Sequence, residues 1–267
     1  MDPIISLKNP HIKYVRSLRQ RKARRANKAY LVEGIRHVGE AVEAGSNLQA
    51  IFYAPDLLKS HFALNLVDRQ SEAGVPCYAT SSQVFTSISE KDNPQGIMAV
   101  VNTLETALKD LTTDNFPWGV ALLSPSDPGN VGAILRTIDA VGASGLILIN
   151  NSVDPYHPTA VRASMGTIFW LPVVETRFAD FELWQRENGY SLYGTSAHAA
   201  SDYRTTEYQT PSILLMGSER HGLSKEERES CNAVVYLPMH GRATSLNLAV
   251  AAGIMLYEMK TKIGGYS

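Results

Sequence analysis

From Trp118 to Ile149 the chain reads WGVALLSPSDPGNVGAILRTIDAVGASGLILI. Val120–Leu123 is an apolar run of strand length, and Leu146–Ile149 is another with no polar residue. Between them the loop Ser124-Pro125-Ser126-Asp127-Pro128-Gly129 leads into Val131, Ile134, Leu135, Ile138 and Val141, one stripe at helical spacing. A wholly apolar strand needs cover on both faces. Strand, helix and strand in that order supply it by a crossover, so the expected class is α/β with a parallel sheet.

Downstream the rhythm continues. Pro158–Met165 reads as helix, Ile168–Val174 as extended, Phe178–Glu187 as helix and Ser191–Thr195 as strand. Ile213–Met216 is a strand, Ser224–Ser230 a short helix and Val234–Leu237 a strand, and Ser245–Lys260 is a long closing helix, apolar nearly all round. Upstream, Thr103–Pro117 is polar and weakly periodic, which places a domain boundary there and separates residues 1–105 from 106–267. Within the first part, Leu31, Ile35, Val38 and Val42 predict a helix ended by Gly45. Leu48–Ala54 and Val75–Ala79 predict strands, with a helix near His61–Ala73 between them. Ile97–Val101 predicts a strand after the turn residues Asp92-Asn93-Pro94.

The 267 residues carry 25 Lys and Arg against 26 Asp and Glu, and 44% are hydrophobic. That is enough apolar material for a core, so whole-chain disorder is excluded. Two cysteines without a C-x-x-C spacing exclude a disulfide scaffold and a cysteine-rich zinc site, and fit a reducing compartment. Leu246–Met259 is too short to span a bilayer, and Met-Asp-Pro opens no secretory signal, so a cytoplasmic protein is expected. The near-neutral total hides an asymmetry. Nine Lys and Arg lie between Lys8 and Lys28, and no acid lies between Asp2 and Glu33. Such a run repels itself unless a polyanion relieves it, which points to a basic arm on nucleic acid with Arg21, Lys22, Arg24 and Arg25 at its centre. The competing readings are a solvated helix face and an Arg-rich organelle transit peptide, against which Asp2 and the scarcity of Ser argue.

Ligands of open α/β sheets sit beyond the carboxyl ends of the strands. Three such ends are rich in functional residue types. They are Asp127 to Gly132 with Arg136 on the helix beyond, Met216 to Leu223, and Leu237-Pro238-Met239 with Gly241 to Asn247. Familiar nucleotide signatures are missing. No G-x-G occurs, and none of the G-x-x-x-x-G spacings is followed by Lys and then Ser or Thr. The seven histidines show no metal-ligand spacing, and H-E-x-x-H and G-x-S-x-G are absent.

Asn130-x5-Arg136-x5-Gly142, then Gly217-x-Glu219-x-x-Gly222-Leu223, then Leu237-Pro238-Met239 through Ser245-Leu246-Asn247 resemble, in order, the three motifs of the SpoU branch of the SPOUT RNA 2′-O-ribose methyltransferases. The first domain resembles the family's ribosomal-protein-like RNA-binding domain, through Tyr30–Gly34 on a first helix and Asn93–Ile97 before the last strand. The resemblance implies a trefoil-knotted methyltransferase domain, S-adenosylmethionine as cofactor, no metal, and a homodimer built through the knotted domain. It implies RNA as substrate, ribosomal RNA first. Gly217, Leu237, Met239 and Leu246 then become cofactor contacts. Arg136 becomes the residue that engages the ribose and its phosphate, with Asn130, Glu219, Ser245 and Asn247 orienting substrate and holding the loops. Each has a plainer reading: Leu237 and Leu246 as strand-end packing, Gly217 as a tight turn, Asn130 and Ser245 as helix N-caps, Arg136 as a surface arginine. Two rival functions stay open, a non-catalytic RNA binder that keeps the fold and the same chemistry on tRNA.

Overall fold

The computed structural model describes residues 3–264. The chain divides into two compact units, Met1–Leu104 with Tyr156–Arg162, and Glu105–Pro155 with Ala163–Ser267.

The first unit opens with helices α1 (Pro10–Ser17) and α2 (Arg21–Asn27). Strand β1 (Ala29–Glu33), helix α3 (Ile35–Glu43), strand β2 (Leu48–Tyr53) and helix α4 (His61–Glu72) follow. Strand β3 (Cys77–Ala79), helix α5 (Ser82–Ile88) and strand β4 (Ile97–Asn102) complete it. Its sheet runs β1-β4-β2-β3. β4 pairs antiparallel with both neighbours, and β2 with β3 is parallel. Ile12, Val15 and Leu18 from the basic segment pack into one cluster with Phe52, Phe85 and Val100.

Two sequence expectations change here. Leu31 belongs to β1 and not to a helix reaching Val42, and Tyr30–Glu33 of the family-like signature is likewise strand. Ala29 to Val32 are buried on both faces, so their apolar run carries no period to tell strand from helix. Gly34, at φ +105°, breaks the chain between β1 and α3. The basic run, moreover, is no arm but two helices of the domain itself. Arg24 is 3% exposed and donates from Nη1 to the carbonyls of Leu18 at 2.8 Å and Arg19 at 2.7 Å. Arg24 therefore faces inward and is withdrawn as an RNA contact. Arg16 reaches Ser87 Oγ at 2.7 Å, and Arg19 reaches the Ser89 carbonyl at 2.7 Å. Around Arg16 and Arg19, carbonyl and hydroxyl oxygens accept the guanidinium donors where the run itself offers no acid.

The second unit holds strand β5 (Trp118–Leu123), helix α6 (Pro128–Val141) and strand β6 (Leu146–Ile149). Helix α7 (Pro158–Ala163) lies almost wholly in the first unit. Then come β7 (Val173–Thr176), α8 (Phe178–Glu187), β8 (Ser191–Thr195) and the two-residue β9 (Ser201–Asp202). β10 (Ser212–Met216), α9 (Lys225–Glu229), β11 (Ala233–Tyr236) and α10 (Leu248–Gly264) close the fold. All seven strands are parallel, in the order β7-β6-β5-β10-β8-β11-β9. Of the stretch expected to be extended from Ile168, only β7 is strand, since Thr167–Phe169 makes a 3-10 turn. The last helix starts at Leu248, three residues later than expected. Among the described residues no helix is long and apolar enough to cross a membrane.

Candidate active site

β5, β10, β8 and β11 are successive neighbours, so the loops that follow them emerge at the same carboxyl edge of the sheet. Three of these loops are the ones singled out in the sequence. The fourth, Ser196–Ala200 after β8, lies between them, and no spacing in the sequence reveals that β8 separates β10 from β11.

The first loop ends at Asp127, whose carboxylate accepts from Gly129 N at 2.7 Å and caps α6. Pro128 begins the helix, where its missing N–H costs nothing. Asn130 is thus not the cap. It sits in the first turn, buried, and is free to point across the sheet edge.

The second loop is a hairpin of very close approach. A Cβ on Gly217 would lie 2.0 Å from the carbonyl carbon of Gly222 and 2.4 Å from Leu223 N, so only glycine fits. Gly222 donates back to the Ser218 carbonyl at 2.9 Å and adopts φ +63°. The turn presents Glu219 at its tip.

Glu219 is heavily engaged. Oε1 accepts from Asn130 Nδ2 at 3.1 Å, and Oε2 accepts from Ser126 N at 3.2 Å and Ser126 Oγ at 3.1 Å. Burial pushes its pKa up. The donors, its own backbone N–H, Asn130 and both groups of Ser126, outweigh that and hold it below the ordinary carboxylate value. Ser126 is the residue sequence reasoning missed; a serine in a Ser-Pro-Ser-Asp turn carries no signal beyond the turn itself.

The third loop joins through Asn247. Its Nδ2 donates to Asn130 Oδ1 at 3.0 Å, while its Oδ1 accepts from Ala249 N at 2.9 Å and Val250 N at 3.3 Å. Asn247, not Ser245, therefore caps α10. Ser126, Glu219, Asn130 and Asn247 make one continuous chain of hydrogen bonds that ties the three loops together.

The remaining candidates are arranged differently. Leu237 follows directly on β11 and is half-buried, whereas Met239 and Leu246 are 36% and 38% exposed. Ser245 has no hydrogen-bond partner among the described residues. Arg136 is exposed and unpaired among the described residues. Six residues beyond Asn130 it lies roughly 9 Å further along α6 and turned about 120° away. One chain does not bring it into the Glu219 cluster. Neither cysteine offers a ready thiolate, because burial raises both and pushes Cys231 up to about 12.

A family model described as the SpoU rRNA Methylase family matches residues 117–257. The chain belongs to the SpoU rRNA methylase family. A second model, the MRM3-like substrate binding domain, matches residues 9–99. The 23S rRNA (guanosine(2553)-2′-O)-methyltransferase RlmP of Bacillus subtilis is 29% identical, over 97% of this chain and 100% of its own. The 23S rRNA (uridine(2479)-2′-O)-methyltransferase of Streptomyces viridochromogenes is 33% identical, over 88% and 84%. Among solved structures, the AdoMet-bound rRNA methyltransferase of Sinorhizobium meliloti superposes with a TM-score of 0.88 at 35% identity, covering 97% of both chains. The SpoU match contains all three loops of the hydrogen-bonded chain.

Proposed function

We propose that this SpoU methylase transfers the methyl group of S-adenosylmethionine to a ribose 2′-hydroxyl of ribosomal RNA. One observation carries the reading: Glu219, Asn130 and Asn247, from three separate loops, are locked together at the carboxyl edge of the sheet. Similarity over most of both chains to two 23S rRNA 2′-O-methyltransferases favours ribosomal RNA over tRNA and cytoplasmic action.

The site fits the cofactor. Met239 and Leu246 hold large apolar side chains out toward solvent, which suits an apolar ligand surface. Gly241, exposed and without a side chain, leaves its backbone N–H and C=O groups open to read polar edges. Gly217, Leu237, Met239 and Leu246 are the residues that would hold it. When bound, S-adenosylmethionine supplies an electrophilic methyl group on sulfur.

The other work falls to the chain. Residues 1–105 select RNA, and 106–267 carry the site in a trefoil-knotted domain. Glu219 stays ionised and fully occupied as an acceptor, so it orients Asn130 rather than moving a proton. Arg136, a guanidinium that resists deprotonation, grips the phosphate beside the target ribose. Its distance from the cluster is resolved in a homodimer, where the Arg136 of one protomer serves the cofactor site of its partner. Val250, Ile254 and Tyr257 supply an apolar stripe on α10 for that interface, at 52%, 36% and 48% exposure.

The test is methyl transfer from labelled S-adenosylmethionine to ribosomal RNA, with 2′-O-methyl positions mapped in total RNA with and without the gene. Transfer to tRNA alone selects the tRNA rival, and no transfer with no cofactor binding selects the non-catalytic one.

A further inference from the structure

We propose that Ser126 is a positioning residue for methyl transfer, fixing the Glu219 carboxylate that orients Asn130. The inference rests on the methyltransferase reading above.

A carboxylate at the tip of a hairpin turns about its last torsion with little preference. Apart from the short-range bond from its own backbone N–H, the carboxylate is met from outside the hairpin by Asn130, which reaches only Oε1. Ser126 holds it from the far side with two donors, N at 3.2 Å and Oγ at 3.1 Å, both on Oε2. The two residues are 93 positions apart, so the restraint comes from another loop and not from the hairpin itself.

That other loop is anchored at both sides of Ser126. Asp127 is held on Gly129 N, and the carbonyl of buried Pro125 accepts from Val153 N at 2.9 Å. The Ser126 hydroxyl is spent on Glu219 and, among the described residues, on nothing else. Its side chain is exposed and fills no core space. An exposed serine with one bond to a carboxylate matters little to folding, and it matters to catalysis only through that carboxylate.

The experiment compares wild type, Ser126→Ala and Ser126→Thr as full-length protein. It measures kcat and KM for RNA and for S-adenosylmethionine, with circular dichroism as the check on folding. Ser126→Ala keeps the backbone donor and loses the hydroxyl. Its kcat is expected to fall roughly tenfold, the effect of one hydrogen bond to a charged group, with both KM values nearly unchanged. Ser126→Thr retains the hydroxyl and is expected to restore most of kcat. The proposal is overturned by a Ser126→Ala enzyme with wild-type kcat, or by a threonine variant no better than alanine. An alanine variant that fails to fold also overturns it, since the serine would then hold the loop rather than the carboxylate. A wild-type protein that methylates no RNA sinks the methyltransferase reading and this inference with it. Transfer by wild type with an unaffected Ser126→Ala sinks this inference alone.

Discussion

Asn130 presents its Nδ2 amide nitrogen to Glu219 Oε1 at 3.1 Å, and this one contact dictates the direction of every bond beyond it. An ionised carboxylate only accepts, so Asn130 must turn its amide donor toward Glu219 and its Oδ1 toward Asn247. Asn247 must then donate through Nδ2, which leaves its Oδ1 to accept from the first turn of α10. Charge at Glu219 thus fixes the orientation of two amides and the cap of the last helix.

Glu219→Gln tests that logic with almost no change of shape. A glutamine that keeps its carbonyl oxygen on the two Ser126 donors turns its amide donor toward Asn130, which permits the reversed set of amide orientations. In that set Asn247 directs donors at the N–H groups of α10. Methyl transfer is expected to fall by ~10², while the elution volume in size-exclusion chromatography stays that of wild type. Near-wild-type turnover in Glu219→Gln would mean that the charge does not organise the site.

The same carboxylate makes stability depend on pH. Its folded pKa lies below the ordinary 4.5 because the hydrogen bonds favour the charged form over the burial that opposes it. A depressed acid contributes stability that is fully present above its unfolded value and is lost as pH falls through the folded one. The melting temperature of wild type should therefore drop faster than that of Glu219→Gln below about pH 4.5, with parallel curves from pH 6 to 8. Parallel curves throughout would show the bonds to be absent in solution.

Gly217 has no room for a side chain, with the Gly222 carbonyl carbon 2.0 Å from where a Cβ would stand. Both partners are backbone and cannot swing aside. Gly217→Ala should force the hairpin open, costing about 1–3 kcal/mol, and should displace Glu219. Isothermal titration is expected to show cofactor affinity reduced together with activity. Unchanged affinity would separate this hairpin from the cofactor site.

Among the basic residues, exposure separates two roles. Arg24→Ala should destabilise the first unit by about 2 kcal/mol, because the buried Leu18 carbonyl and the partly buried Arg19 carbonyl lose a charged donor. Reversing Arg21, Lys22 and Arg25 to Glu should weaken RNA binding. It should also flatten the dependence of log K on log salt by about 0.7 for each single-strand phosphate that is no longer neutralised. Salt titrations with an unchanged slope would make this run a solvated face.

How far the sequence speaks is clearest residue by residue. The spacing around Asn130, Glu219 and Asn247 is legible because each residue sits in a short motif, and their meeting point follows from strand-end loops sharing one edge. Leu31 reads as helix because β1 is buried on both faces and so has no period of two. Arg24 reads as an exposed charge because charge counting does not see carbonyls, and its partners are backbone oxygens at the end of α1. Ser126 is invisible, since its partner stands 93 residues away and depends on β5 lying beside β10. Nothing local encodes that adjacency.

Arg136 is the residue for which geometry and role are furthest apart, and two variants address it together. Lysine keeps the charge and removes the planar fork that fits a phosphate with two parallel bonds. Arg136→Lys is therefore expected to lose ~10²–10³ in turnover with cofactor binding intact. Retained turnover would reduce the residue to a simple positive charge. The dimer is tested by mixing Arg136→Ala with Glu219→Gln, each inactive alone. If Arg136 serves the partner's cofactor site, a mixed dimer has one site with both residues intact and one with neither. Random pairing then restores about a quarter of wild-type activity. If Arg136 serves its own chain, every site in every dimer carries one defect and nothing is restored. The mixing experiment thus decides between the two arrangements by a yield that neither variant can produce by itself.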